Sequence, residues 1–192
     1  EIAVWNLAQL ATALLPLIDD DQDRAVGMAT ESVHRFPELY AGAWLAVFRA
    51  KLGLSQAEDG DAELIQDLLA LMAKQGADFT NTFRTLGDDR VRAQFAEPAA
   101  FDACAGACGA RRRREAGTAA EQGALMRRRN PAVIPRNHRV EDAIQGAISG
   151  DYSRFLNLDR VLSRPFDLAA EDTEYARPPK PDEEVTRTFC GT

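Results

Sequence analysis

The chain has 192 residues, 45% of them apolar and 28% charged, with a formal net charge of −7. That balance describes a globular protein long enough to bury a core, and its acidic surplus argues against a general nucleic-acid binder. Three cysteines, an odd number, argue against an extracellular disulfide framework, and no run approaches the roughly 18 apolar residues of a membrane span.

The opening Glu1-Ile2-Ala3-Val4-Trp5 has no basic n-region of a secretory signal, so a cytoplasmic protein is expected. Residues 2–18 form a predicted helix with Trp5, Leu7, Leu10, Ala11, Leu14, Leu15 and Ile18 at helical spacing, and Pro16 bends or ends its last turn. Asp21 is placed to cap a second helix over residues 22–36, whose apolar face is Ala25, Val26, Ala29, Val33 and Phe36, with His34 beside it. Pro37 suits the first turn of a third helix, which carries Leu39, Tyr40, Ala43, Trp44, Val47, Phe48 and Leu52 to a stop at Gly53. No copy of this pair follows at a fixed period, so a bundle is expected rather than a helical repeat.

Asp61 is positioned to cap an amphipathic helix containing Leu64, Ile65, Leu68, Leu69, Leu71 and Met72, closed by Gly76. Phe79, Phe83 and Leu86 mark a short helix from which Arg84 points away, and Pro98 starts another. Residues 98–129 are basic and expected to pack weakly: the side chains after Phe101 are small, and Gly106 and Gly109 each cost a helix about 1 kcal/mol. The runs Arg111-Arg112-Arg113-Arg114 and Arg127-Arg128-Arg129 have no aromatic residues among them, which favours a solvated basic face over nucleic-acid contact. Cys104 and Cys108 share a helix face, yet no nearby Cys or His completes the four ligands of a structural zinc site, so they are expected to be small buried side chains.

Two prolines, Pro131 and Pro135, each fix φ and withdraw an amide donor, so residues 130–136 should cross as an extended strap. Asn137 can then cap a helix bearing Val140, Ala143, Ile144 and Ala147, ended at Gly150. Asp151 is expected to cap the next, which buries Phe155, Leu156, Leu158, Val161 and Leu162 and stops at Pro165. From Phe166 onward the pattern loses its period and prolines and acids accumulate. The expected fold is therefore all-α: a helical bundle over residues 1–97, the basic segment 98–129, the strap with its helical pair over 130–165, and an extended proline-containing tail over 166–192.

The strap region carries the candidate site. Arg136, Asn137, His138 and Arg139 could hold an anion or contact another domain. The favoured reading is a structural cluster that satisfies strap carbonyls and caps a helix. No HxxE, nucleophile–base pair, GxGxxG or Walker pattern accompanies them, so no catalytic, cofactor-binding or metal-ligating residue is assigned in this chain. Cys190, third from the end of the tail, should be accessible to thiol exchange.

Five stretches carry a resemblance. Asn130-Pro131-Ala132-Val133-Ile134-Pro135-Arg136-Asn137-His138-Arg139-Val140-Glu141 and the ending Thr188-Phe189-Cys190-Gly191-Thr192 are similar to the C-terminal part of the selenoprotein O family. So are Trp5-Asn6-Leu7-Ala8-Gln9-Leu10, Asp78-Phe79-Thr80-Asn81-Thr82-Phe83-Arg84, and Arg164-Pro165-Phe166-Asp167 followed by Tyr175-Ala176 and Pro178-Pro179, all in family order. The resemblance implies a parent with a protein-kinase-like fold that moves AMP from ATP to hydroxyl side chains of other proteins. It implies that the residues for ATP and Mg²⁺ or Mn²⁺ lie upstream, that the partner of this chain is that kinase-like core, and that the chain alone is inactive. It also implies that Cys190 pairs with a core cysteine and tunes activity with redox state. The small residues after Phe101-Asp102 depart from the family's aromatic and leucine anchors. Two other classes stay open on the residues alone: a freestanding helical interaction module, and a nucleic-acid-associated protein acting through the Arg-rich segment.

Overall fold

A computed structural model of the chain describes residues 2–186. All the regular structure among them is helical, with nine α-helices, three short 3-10 turns and no strand. Among the described residues no helix is long and apolar enough to cross a membrane. The chain divides into two compact units, residues 1–48 and 49–192.

The first unit is an α-hairpin with a third helix. It contains α1 (Ile2–Ile18), α2 (Gln22–His34) and most of α3 (Phe36–Leu52), whose last turn belongs to the second unit. α1 continues past Pro16 to Ile18. Asp21 caps α2 as expected, its carboxylate accepting from the Arg24 amide at 3.1 Å. Apolar residues recur with helical period in α1 and α3, yet only Ala25 and Ala29 are buried among the unit's described residues. Trp5 is 63% exposed and Leu17 82%. A groove of about 340 Å³ runs between α1 and α2 toward the start of α3, lined by Leu7, Leu10, Leu14, Val33, Phe36 and Leu39 among others.

The second unit holds the core. α4 (Asp61–Gln75) and α6 (Pro98–Arg112) pack together, and α6 also meets a 3-10 turn (Asp89–Gln94) that follows α5 (Phe79–Thr85). Ile65, Leu68 and Met72 of α4, Phe83 of α5 and Phe101 of α6 are buried, and the Phe95 and Phe101 rings stack 4.6 Å apart. α7 (Ala119–Arg129) opens on a reciprocal cap in which Thr118 and Glu121 bond each other's amides. α8 (Asn137–Ile148) and α9 (Ser153–Leu162) form a tight hairpin. A Cβ at Gly146 would lie 2.9 Å from the Asp151 carbonyl oxygen, so only glycine fits there.

Three cap assignments need correction. Asp61 is the first residue of α4; the cap position is Gly60, at φ +88°, and the Asp61 side chain turns inward instead. Asn137 is likewise the first residue of α8, preceded by Arg136 with no side-chain cap. Asp151 accepts from the Ser153 amide at 2.9 Å, one residue before the position expected of a cap, Tyr152. Asp61 instead bonds Arg49 and Arg111, far along the chain, and the Glu58 amide before its helix.

Candidate functional site

The residues that carried the family resemblance in the second unit converge on α5. Asp78 precedes this helix, and one oxygen of its carboxylate accepts from the Asn81 amide at 2.8 Å. The same carboxylate receives both prongs of Arg136, at 2.8 and 3.0 Å. Burial pushes the Asp78 carboxyl up, but the Arg136 hydrogen bonds, the Asn81 amide and the Arg136 charge outweigh it and hold it below its ordinary range. Arg136 is itself buried, so the strap is pinned to α5 by a desolvated, bidentate pair.

Arg84, also on α5, spends its hydrogen bonds on backbone carbonyls. One terminal nitrogen donates to the carbonyls of Arg127 and Asn130, both at 2.9 Å, and the other to the carbonyl of Phe166 at 3.0 Å. Carbonyls at the end of a helix lack intrahelical donors, so Arg84 closes the C-terminus of α7 while tying it to the chain after α9. Asn81 reaches the Ala176 carbonyl at 3.2 Å. Asn130, 1% exposed, exchanges bonds with Lys51 through its amide nitrogen and oxygen, and Lys51 lies over the Phe79 and Phe83 rings. The strap amides of Ala132 and Val133 both donate to the Pro165 carbonyl.

The four strap residues singled out in sequence are divided by the fold. Arg136 faces Asp78, Asn137 is exposed, and Arg139 donates to the carbonyl and carboxylate of Glu174 while covering the Tyr175 ring at 5.5 Å. His138 is buried, with neither ring nitrogen bonded. Burial, then the charge of Arg139, lowers its pKa; Arg177 and Arg136 act in the same sense and Glu183 opposes them. The tail is tied down at further points: Arg160 makes a bidentate pair with the buried Asp172, and Arg177 does so with Glu183, whose carboxyl is held at about 2 chiefly by that guanidinium. Cys190 lies outside the described residues.

A second ionic cluster overturns the reading of residues 111–114 as a wholly solvated basic face. Arg111 is 3% exposed and donates to Asp61 at 2.7 Å, Glu115 at 2.7 Å and the Gln56 carbonyl at 2.7 Å. Arg49 completes Asp61 at 2.6 Å, and Glu115 accepts from the Ser55 hydroxyl and from the Ser55 and Gln56 amides. Burial raises both carboxyls, but their donors hold Asp61 and Glu115 below the ordinary range. Arg127, Arg128 and Arg129 are exposed, as expected. Cys108 is buried and Cys104 half-buried on α6; a hydrogen bond between the two thiols, then burial, pushes Cys108 up, and the same hydrogen bond lowers Cys104. Among the described residues no group of three or more His, Cys, Asp and Glu side chains could hold a metal ion.

Comparison with known proteins places this architecture. The family model described as protein adenylyltransferase SelO matches residues 1–163. The chain belongs to the SelO family. Among curated SelO relatives, the protein nucleotidyltransferase YdiU of Ruegeria sp. (strain TM1040) is 52% identical over 192 residues, covering all of this chain. The protein of the same name from Bradyrhizobium diazoefficiens is 47% identical over 199 residues. In both cases the chain spans only about 40% of the relative's length, and it corresponds to the C-terminal part of these nucleotidyltransferases. In SelO terms, the interlock around α5 is the place where three segments of that part are fastened together. Asp78 and Arg84 were left without roles by sequence patterning and Arg111 was read as solvated: single charged residues carry no periodic signal, and Arg136, Asn130 and Asp61, which they meet, lie tens of residues away.

Proposed function

We propose that this chain is the helical C-terminal support of a SelO-type protein adenylyltransferase, which moves AMP from ATP to Ser, Thr or Tyr hydroxyls of proteins. In this reading the kinase-like core of the same parent is the partner, and it carries ATP and its Mg²⁺ or Mn²⁺. The described residues of this chain offer no converging metal-ligand set, so no step of the transfer is assigned to them. Their task is to hold a rigid helical surface, through the Asp78–Arg136 and Arg84 fastenings, against that core.

The observation that carries the reading is the match to SelO relatives of which this chain is 40%. The first unit supports it. Its helices have apolar spacing but leave Trp5, Leu10, Leu17, Leu39 and Tyr40 uncovered, and a monomer's surface rarely keeps so many large apolar side chains together. The kinase-like core is the cover. Cys190 is the redox-responsive thiol of the same proposal, acting on the core through disulfide exchange.

The test gives α-labelled ATP, Mg²⁺ or Mn²⁺ and acceptor proteins to this chain alone and to the full-length parent. Label should reach the acceptors only with the parent, and oxidation should change that rate in the parent but not in its Cys190→Ser variant. Transfer of AMP by this chain alone would overturn the assignment of chemistry to the core.

A further inference from the structure

We propose that protonation of His138 releases residues 174–186 from α8, so that this stretch of the tail is latched at neutral pH and freed in mild acid. The latch needs nothing of the transfer chemistry proposed above. It rests on where the fold puts one imidazole.

His138 is the second residue of α8, nine-tenths buried, and neither ring nitrogen has a hydrogen-bond partner. A neutral ring tolerates such a place, whereas an imidazolium would bury a charge and leave two N–H donors unpaired. The surroundings add to that cost. Arg139 follows it on α8, Arg136 ends the strap before it, and Arg177 acts on it from the tail. The first turn of a helix also carries the positive end of its dipole. Glu183 of the tail opposes them, but its two oxygens already accept from Arg177 at 2.7 and 2.8 Å. Glu141 and Asp142 of α8, with Asp182 and Glu184 of the tail, line the same cleft of about 640 Å³ and favour a cation. These four are exposed, where solvent screening shortens their reach, and Asp142 is paired with Arg154.

Of the walls around the ring, the tail is the weakest. The strap is held by the buried Asp78–Arg136 pair and by Val133, and α8 by Ala143. Residues 174–186 meet the rest through Arg139, which bonds the exposed Glu174 and covers Tyr175, and through Asn81 on the Ala176 carbonyl. Exposed pairs of this kind contribute little. Asp172, buried and paired with Arg160 of α9, anchors the stretch just before. Asp172 and Glu183 are held below the ordinary carboxylate range by their guanidinium partners, so both pairs persist where His138 gains its proton.

Opening returns the ring to water, where its pKa is about 6.5. The open tail therefore binds the proton better than the closed one, and the ratio of open to closed rises as pH falls below that value.

Hydrogen exchange of the whole chain tests this at pH about 7 and about 5.5, with labelling times scaled for slower chemical exchange in acid. Peptides over 174–186 should lose protection several-fold, approaching about tenfold one unit below the open-state value, while α4 and α6 keep theirs. His138→Phe keeps a ring that cannot titrate, and His138→Gln a polar side chain that cannot. In both, tail protection should not fall in acid. Unchanged tail protection in the parent sequence, or the same acid opening in the two variants, would overturn the inference.

Discussion

Arg136 grips both carboxylate oxygens of Asp78 across 58 residues of sequence, and in doing so fastens the proline strap to the helix α5. Removing Arg136 leaves a half-buried carboxylate with a single amide donor. Arg136→Ala should lower unfolding stability by about 3 kcal/mol or more, since breaking one partner of a buried pair costs about 3–5 kcal/mol. Arg136→Lys keeps the charge but not the fork, and should fall between the two. Urea unfolding of the chain measures both, and equal midpoints for Arg136→Ala and the parent sequence would refute this role.

Arg84 serves carbonyls instead of an acid. Arg84→Ala leaves the carbonyls of Arg127, Asn130 and Phe166 without this donor, a loss of about 1–3 kcal/mol. Hydrogen exchange should quicken specifically in the last turn of α7 and in the strap. Quickening confined to α5 would show that the side chain only packs.

His138 predicts a pH dependence. Its folded pKa is lowered, so the fold favours the neutral ring. The associated stability is present above the unfolded value of about 6.5 and is lost as pH falls from there toward the folded value. His138→Gln should flatten the slope of stability against pH between about 7 and 5. An unchanged slope would place the titrating group elsewhere.

The Arg111 cluster adds a second, more acidic transition. Asp61 and Glu115 are held below their ordinary range, so their contribution is present above the unfolded carboxylate values of about 4 and is lost as pH falls through the folded ones. Arg111→Ala leaves two buried carboxylates short of a donor. It should cost about 3–5 kcal/mol at neutral pH, and part of the loss should be recovered on acidification, where those acids become neutral.

Gly146 tests packing alone. Its added Cβ would meet backbone, the Asp151 carbonyl oxygen at 2.9 Å, which cannot swing aside as a side chain would. Gly146→Ala should therefore destabilise by about 1–3 kcal/mol despite alanine's better helix propensity. Increased thermal stability in the variant would contradict the close approach of α8 and α9.

Helices whose apolar residues repeat every three or four positions were legible in the sequence, as α2 and α4 show. The capping of α2 by Asp21 was legible too, because its partner lies three residues away. Asp61 and Asn137 misled for the opposite reason. Their sequence context is that of a cap, but Arg111 and Arg49 claim Asp61, and Arg136 takes the position before α8. The reading of residues 111–114 as a solvated face likewise misses Arg111, which is buried with its head paired to Asp61 and Glu115. The family motifs marked the interlock without revealing its wiring, which depends on contacts between segments far apart in the chain.

One guanidinium, that of Arg84, suspends both the end of α7 and the backbone at Phe166. Strain applied to the tail is thus delivered to a helix that is distant in sequence through a single rigid plane of atoms. A displacement of the backbone at Phe166 would act on the same side chain that closes α7, through its other terminal nitrogen.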